Sequence, residues 1–247
     1  MELKVSKLNK FGKLHFAISS VRDGNMSFLY GERSEVLKNR KYFLEKSGLS
    51  LDSCVTMRLQ HKDKIEVVDS RTAGRGMKEI ESGYEADCLI TKEGGLGLFL
   101  SVADCIPGIV FDPTNNVVAL VHLGWRNTDV RLVQKTIIKM VENFGSKPQD
   151  LFVALGPGIH KESYQKEEVL QSDSPDWQKY LSKEINGLTS IDMYSYNKQQ
   201  LLDSGILKQN IFISDVDTYL SKELFSHYRS TLTNEAEGRH AIVAFLT

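Results

Sequence analysis

The sequence predicts an α+β fold, a single domain spanning residues 1–247 in which mixed β-sheets pack with helices. Three observations predict it. Apolar runs of strand length recur along the chain, separated by Gly, Pro, Asn and Asp turns. One later segment, by contrast, carries a clean helical period. No internal repeat, low-complexity run or linker divides the 247 residues, a length sufficient for one large core.

The elements follow in order. Lys13 to Ser20 alternates and reads as a strand. Glu35 to Ser47 places Val36, Leu37, Phe43 and Leu44 about two turns apart and ends at Gly48, a helix with a glycine cap. Cys54 to Leu59 and Lys64 to Val68 read as strands around the turn His61-Lys62-Asp63, which puts His61 at a strand end. Arg71 to Gly83 reads as a loop. Cys88 to Thr91, Leu96 to Val102 and Gly108 to Phe111 read as buried strands, with Gly94-Gly95 as a hairpin turn between the first two. Asp112 to Asn116 is a turn, and Val117 to Leu123 is the most apolar strand. Val130, Val133, Ile137, Met140, Val141 and Phe144 then share one helix face, with Thr128 or Asp129 as the cap. Leu151 to Leu155 is a strand, and Glu162 to Gly187 is polar with helical patches. Ser190 to Tyr194, Ile211 to Ser214 and Ala241 to Leu246 read as strands. Asn197 to Ser204 and Ser221 to Arg229 read as helices.

Composition narrows the function classes. Lys+Arg is 31 against 32 for Asp+Glu, so no basic excess favours nucleic acid. The three cysteines, Cys54, Cys88 and Cys105, are too few for a disulfide framework and fit a reducing compartment. Met1 to Leu8 lacks the apolar core of a signal peptide, and no stretch is apolar enough to span a membrane. The expectation is a cytoplasmic protein without a membrane or nucleic-acid partner, monomeric or homodimeric.

Chemistry concentrates in three separate segments: Leu59-Gln60-His61, Ala103-Asp104-Cys105, and Val121-His122-Leu123-Gly124-Trp125-Arg126. Two imidazoles and a thiol could share a metal only if the fold assembles them. Three protein ligands leave a fourth tetrahedral position open, as in catalytic zinc sites. Each residue also has a plainer reading. Cys105 alone reads as a buried thiol, His122 as a core histidine and His61 as a solvated turn residue. Gly124 permits close backbone approach, Trp125 offers a stacking face and Arg126 a fork for phosphate or carboxylate. Arg126 serves equally well in a structural ion pair, and Asp104 as a capping carboxylate. The junction from Leu123 into a helix also offers N–H groups to an anion.

Taken together, these segments resemble the multicopper polyphenol oxidase family, also described as laccase-domain (YfiH-type) purine nucleoside phosphorylases. The matching stretches are Gln60-His61, Glu85 to Thr91, Ala103-Asp104-Cys105-Ile106-Pro107 and His122-Leu123-Gly124-Trp125-Arg126. Leu155 to Ile159 with Tyr164, and Ile213-Ser214-Asp215 with Thr218-Tyr219, continue the order. The resemblance implies an α/β/β/α layering similar to YfiH-like cysteine hydrolases. It implies zinc, with copper as a second possibility, on His61, Cys105 and His122. Cys105, His122 and Asp104 are then the catalytic candidates, and Arg126 and Trp125 bind substrate. The implied activity is phosphorolysis of adenosine, inosine, guanosine and methylthioadenosine, with purine nucleosides and phosphate as partners, together with adenosine deamination. The sequence departs from the family pattern where Gln60 directly precedes His61, where Asn127 follows Trp-Arg, and where Glu162-Ser163 replaces a cysteine pair. Arg22 is the nearest counterpart of an N-terminal arginine.

Three competitors stay open: a metal-free Cys-His hydrolase or amidase such as a peptidoglycan-precursor editing factor, a copper polyphenol oxidase, and a non-catalytic protein stapled by a metal. The oxidase needs a histidine-rich cluster, and the chain has six histidines and no His-x-His pair. The stapled protein needs a fourth protein ligand, for which His160 is the candidate.

Overall fold

Every residue of Val117–Leu123 is buried, so this strand is covered on both faces. Its pleat sorts the side chains. Val117, Ala119, Val121 and Leu123 enter one apolar cluster, while Val118 and Leu120 enter another. The strand therefore lies between two cores, and the layers of the fold follow from it.

The computed structural model describes residues 12–247, so the reading of Met1 to Leu8 lies outside the described residues. In chain order the elements begin β1 (Leu14–Ile18), α1 (Arg33–Glu45), β2 (Cys54–Thr56), β3 (Ile65–Val67), β4 (Cys88–Thr91), β5 (Gly97–Val102), β6 (Ile106–Asp112) and β7 (Val117–Leu123). They continue α2 (Trp125–Asp129), α3 (Leu132–Phe144), β8 (Phe152–Leu155), β9 (Gln165–Lys166), β10 (Leu181–Lys183) and β11 (Thr189–Ile191). The last are α4 (Met193–Asp203), β12 (Ile211–Ile213), α5 (His227–Leu232) and β13 (His240–Leu246).

Among the described residues, one sheet has the order β12-β8-β6-β7-β4-β3, a second β1-β13-β5-β2, and a small third β10-β11-β9. The first two are mixed: β3·β4, β12·β8 and β2·β5 are parallel, and the remaining pairs antiparallel. Leu89, Ile109 and Leu120 of the larger sheet meet Leu98, Leu100 and Ile242 of the smaller one in a shared core. Beyond the larger sheet, Val133, Ile137 and Met140 of α3 and Leu201 of α4 cover Ile90 and Val121. Beyond the smaller one, Phe43 and Leu44 of α1 cover Phe99 and Val243. The layering is α/β/β/α, and the α+β expectation holds.

Several local expectations change, among them the strand over Ser190 to Tyr194, which ends at Ile191 because Met193 already opens α4. Gly94-Gly95 does not close a hairpin, because β4 and β5 belong to different sheets; Gly95 has φ 78° and donates its N–H to Leu246. The β2 and β3 segments likewise separate, so the turn at His61 spans from one sheet to the other. The helix expected after Thr128 is broken: Arg131 is left-handed at φ 58°, between the short α2 and α3. Tertiary contacts hold α2 apart, since Asn197 and Gln200 of α4 donate to Thr128, and Trp177 Nε1 donates to Asp129. The C-terminal helix starts at His227 rather than Ser221. The Arg229 guanidinium takes the carbonyls of Thr218, Tyr219, Ser221 and Leu224, which holds residues 218–224 as a loop.

Candidate active site

The same pleat that sorts the core aligns the site. Cys88 stands opposite Val121, so Asp87 and His122 form the next step of that ladder, and the His122 N–H bonds the Asp87 carbonyl at 2.8 Å. Asp87 has the parity of Leu89, and His122 that of Leu120, which puts both on the inter-sheet face. Cys105 packs against the same core just before β6. Three chemically able side chains thus reach one end of one sheet face because of period-two arithmetic.

Asp87 organises them, and sequence reasoning gave it no role. It is fully buried. Its Oδ1 lies 2.9 Å from His122 Nδ1 and 3.0 Å from the His61 N–H, and its Oδ2 accepts from Gln60 N at 3.2 Å and Lys62 N at 3.0 Å. Three successive main-chain N–H groups wrap one carboxylate, a nest that explains the left-handed φ of 56° at His61. Burial opposes the charge on Asp87, but His122 and the Lys62 and His61 N–H groups outweigh it and hold the carboxyl below its usual range. The visible signal was an aspartate immediately before the buried strand Cys88–Thr91.

His122 is 1% exposed. Burial works to lower its pKa, but Cys105 and Asp87, by charge and hydrogen bond, raise it to about 9. His61 meets the His122 ring edge-on, with centroids 5.0 Å apart. Burial and the His122 charge hold His61 below its usual pKa, so it is a neutral imidazole. Asn127 ties the two approaches together, accepting from the Gly124 N–H at 3.2 Å and donating to Lys62 O at 2.7 Å.

His61, Asp104, Cys105, Trp125 and Arg126 line one cavity of about 390 Å³, with His122 buried beneath them. The Arg126 guanidinium stacks on Trp125 at 4.4 Å, and no carboxylate pairs with it among the described residues. Tyr164, Lys166, His227, Tyr228 and Thr231 complete the wall, and of these the sequence pointed only to Tyr164. The small sheet, absent from the sequence-based expectation, is what brings Lys166 there. Arg22 pairs with Glu223 on the surface, and His160 packs on Tyr194 at 4.5 Å outside the cavity lining.

Asp104 is engaged at both oxygens. Thr218 Oγ1 donates to one at 2.7 Å and the Tyr228 N–H to the other at 2.6 Å. This carboxylate caps α5 and the preceding loop, which favours the capping role over proton transfer.

Gly124 is needed for space rather than for conformation, since its φ is −82°. A Cβ there would lie 3.0 Å from Cys105 Sγ and 3.7 Å from His122 Cε1. Gly124→Ala is expected to displace the thiol and reduce turnover at least about tenfold, while overpacking costs roughly 1–3 kcal/mol of stability. Paired turnover and denaturant measurements check this, and full turnover would contradict it.

The profile of the family described as multi-copper polyphenol oxidoreductase laccase matches residues 17–247. The chain belongs to this family. Among laccase-family relatives, purine nucleoside phosphorylase YlmD of Bacillus subtilis is 25% identical over 206 residues, covering 81% of this chain and 74% of its own. Adenosine deaminase RL5, from an unknown prokaryotic organism, is 26% identical over 182 residues, covering 71% and 69%. The crystal structure of YlmD from Geobacillus stearothermophilus superposes with a TM-score of 0.88 at 25% identity, covering 96% of this chain and 93% of the other. Among the described residues, no helix is long and apolar enough to cross a membrane.

Zinc suits the donor chemistry of the site. A thiol, a neutral imidazole and a second imidazole backed by a carboxylate are the donor types of a zinc site with its supporting shell. As the side chains lie, no three His, Cys, Asp or Glu groups among the described residues form an arrangement that could hold a metal ion. His61, Cys105 and His122 are therefore adjacent donors rather than a closed cage.

Proposed function

We propose that this protein is a zinc-dependent purine nucleoside phosphorylase that also deaminates adenosine. The observation that carries this reading is the single cavity in which His61 and Cys105, above His122 and Asp87, face Arg126 and Lys166. His61, Cys105 and His122 would hold the metal, which supplies a Lewis acid and activates water near neutral pH. Arg126, stacked on Trp125, and Lys166 bind phosphate and offset its charge. The helix starting at Trp125 has five residues, so anion binding rests on these two side chains rather than on a helix terminus. Trp125, Tyr164 and Tyr228 offer faces for the purine. The relatives' names support both activities. Asp104 acts as a positioning residue, fixing α5 against the cysteine loop.

A second reading draws on a specific observation. His122 lies between Cys105, whose charge raises the imidazole pKa, and Asp87, whose Oδ1 is 2.9 Å from His122 Nδ1. That is the arrangement of a metal-free cysteine hydrolase, with Asp87 orienting the base. Copper oxidation has less support. His15 stacks on Phe245, His160 packs on Tyr194 and His227 bonds Glu237, so these histidines have other contacts.

Elemental analysis beside an inosine assay, with and without phosphate, separates the readings. Bound zinc and phosphate-dependent release of hypoxanthine are expected, with both lost in Cys105→Ala. Activity in metal-depleted protein on amide substrates would favour the hydrolase. Unchanged zinc and unchanged turnover in Cys105→Ala would reject the assignment.

A further inference from the structure

The cavity holds an imidazole outside the proposed metal ligands. His227 opens α5 and lines the same wall as Cys105 and Arg126. Its Nδ1 lies 2.6 Å from Glu237 Oε1. Glu237 is itself held by Arg239 Nη1 at 2.8 Å and Ser230 Oγ at 3.0 Å. Burial works to raise the Glu237 carboxyl, but Arg239, His227 and Ser230 outweigh it and keep it below its usual range. Glu237 is therefore an acceptor, Nδ1 carries a proton, and Nε2 is the ring nitrogen left for a reactant.

The position of this imidazole is tied to the thiol. Asp104, the neighbour of Cys105, accepts from the Tyr228 N–H, one residue from His227. Arg229, the next residue, is fixed to four carbonyls of the preceding loop and to Glu235. The backbone that carries His227 is thereby held against the cysteine loop.

We propose that His227, oriented by Glu237, is the general acid that protonates the departing purine. The inference rests on the phosphorolysis reading. A phosphate oxygen bonds to C1′ of the ribose as the C1′–N9 bond breaks. The bonding pair passes to the purine, which takes the His227 Nε2 proton at N7. The proton carried by the hydrogen phosphate leaves the new sugar phosphate and restores the imidazolium, so atoms and charge balance.

The test compares inosine with 7-methylinosine, whose base leaves as a stable species without being protonated. His227→Gln is expected to lower kcat on inosine by about 10²–10³-fold and on 7-methylinosine by less than about fivefold. Glu237→Gln, which removes the carboxylate that orients the ring, is expected to show the same selective loss on inosine in milder form. Retained 7-methylinosine turnover doubles as evidence that the variant is folded. Equal losses on both nucleosides, or none on inosine, overturn the role of His227 alone. A wild type inactive on both overturns the phosphorolysis reading, and this inference with it.

Discussion

Asp87→Asn is expected to abolish most activity, and the size of the loss separates the two proposed chemistries. The carboxylate accepts from His122 Nδ1 and from the N–H groups of Gln60, His61 and Lys62. An asparagine turns one acceptor oxygen into a donor amide that must face other donors. A single buried carboxylate is thereby replaced by an unsatisfied cluster, at a cost of about 3–5 kcal/mol of stability. If His122 is a zinc ligand, losing the supporting carboxylate lowers metal affinity or turnover by about 10–100-fold. If His122 is the base of a thiol, losing the orienting carboxylate costs on the order of 10⁴-fold. Zinc content, inosine turnover and denaturant unfolding of the purified variant report all three quantities. Wild-type turnover with unchanged zinc would show that Asp87 does not organise the site.

Much of this architecture was legible because it follows from periodicity. The apolar runs around Leu89, Ile109 and Leu120 announce strands, and alternation then decides which face His122 takes. Cys105 and His122 lie at strand ends as the pattern suggests, whereas His61, expected at a strand end, sits mid-way along the connection from β2 to β3, where no period applies. Asp87 was harder. A lone aspartate beside an apolar strand carries no local sign that three consecutive N–H groups will wrap it. Lys166 sits on a strand of two residues in a polar stretch, too short for any period to register. The break at Arg131 was hidden because the apolar spacing runs straight through it, and the contacts that override it come from α4 and Trp177. Arg229 shows the same limit, since its partners are carbonyls, which leave no mark on side-chain pattern.

Acid is expected to destabilise the fold through His240. This residue is fully buried at the start of β13, opposite Val102, and neither ring nitrogen meets a partner at hydrogen-bonding geometry among the described residues. Burial, and then the Arg239 charge, lowers its pKa to about 3, with the Phe225 main chain pushing weakly the other way. In the unfolded chain the same ring titrates near 6.5. Between those values the unfolded state binds a proton that the folded state refuses. The stabilisation is therefore complete above pH 6.5 and is lost as pH falls toward 3, at about 1.4 kcal/mol per pH unit. By pH 4.5 the loss is roughly 3 kcal/mol. Carboxylates also titrate in this range, so wild type alone does not isolate the effect. His240→Phe and His240→Leu remove the ring's proton and leave the carboxylates in place. Their unfolding free energies, measured in denaturant at pH 7 and pH 4.5, should fall less than that of the wild type by about that amount. An identical pH dependence in all three proteins would mean that the ring finds a partner for its proton within the folded chain.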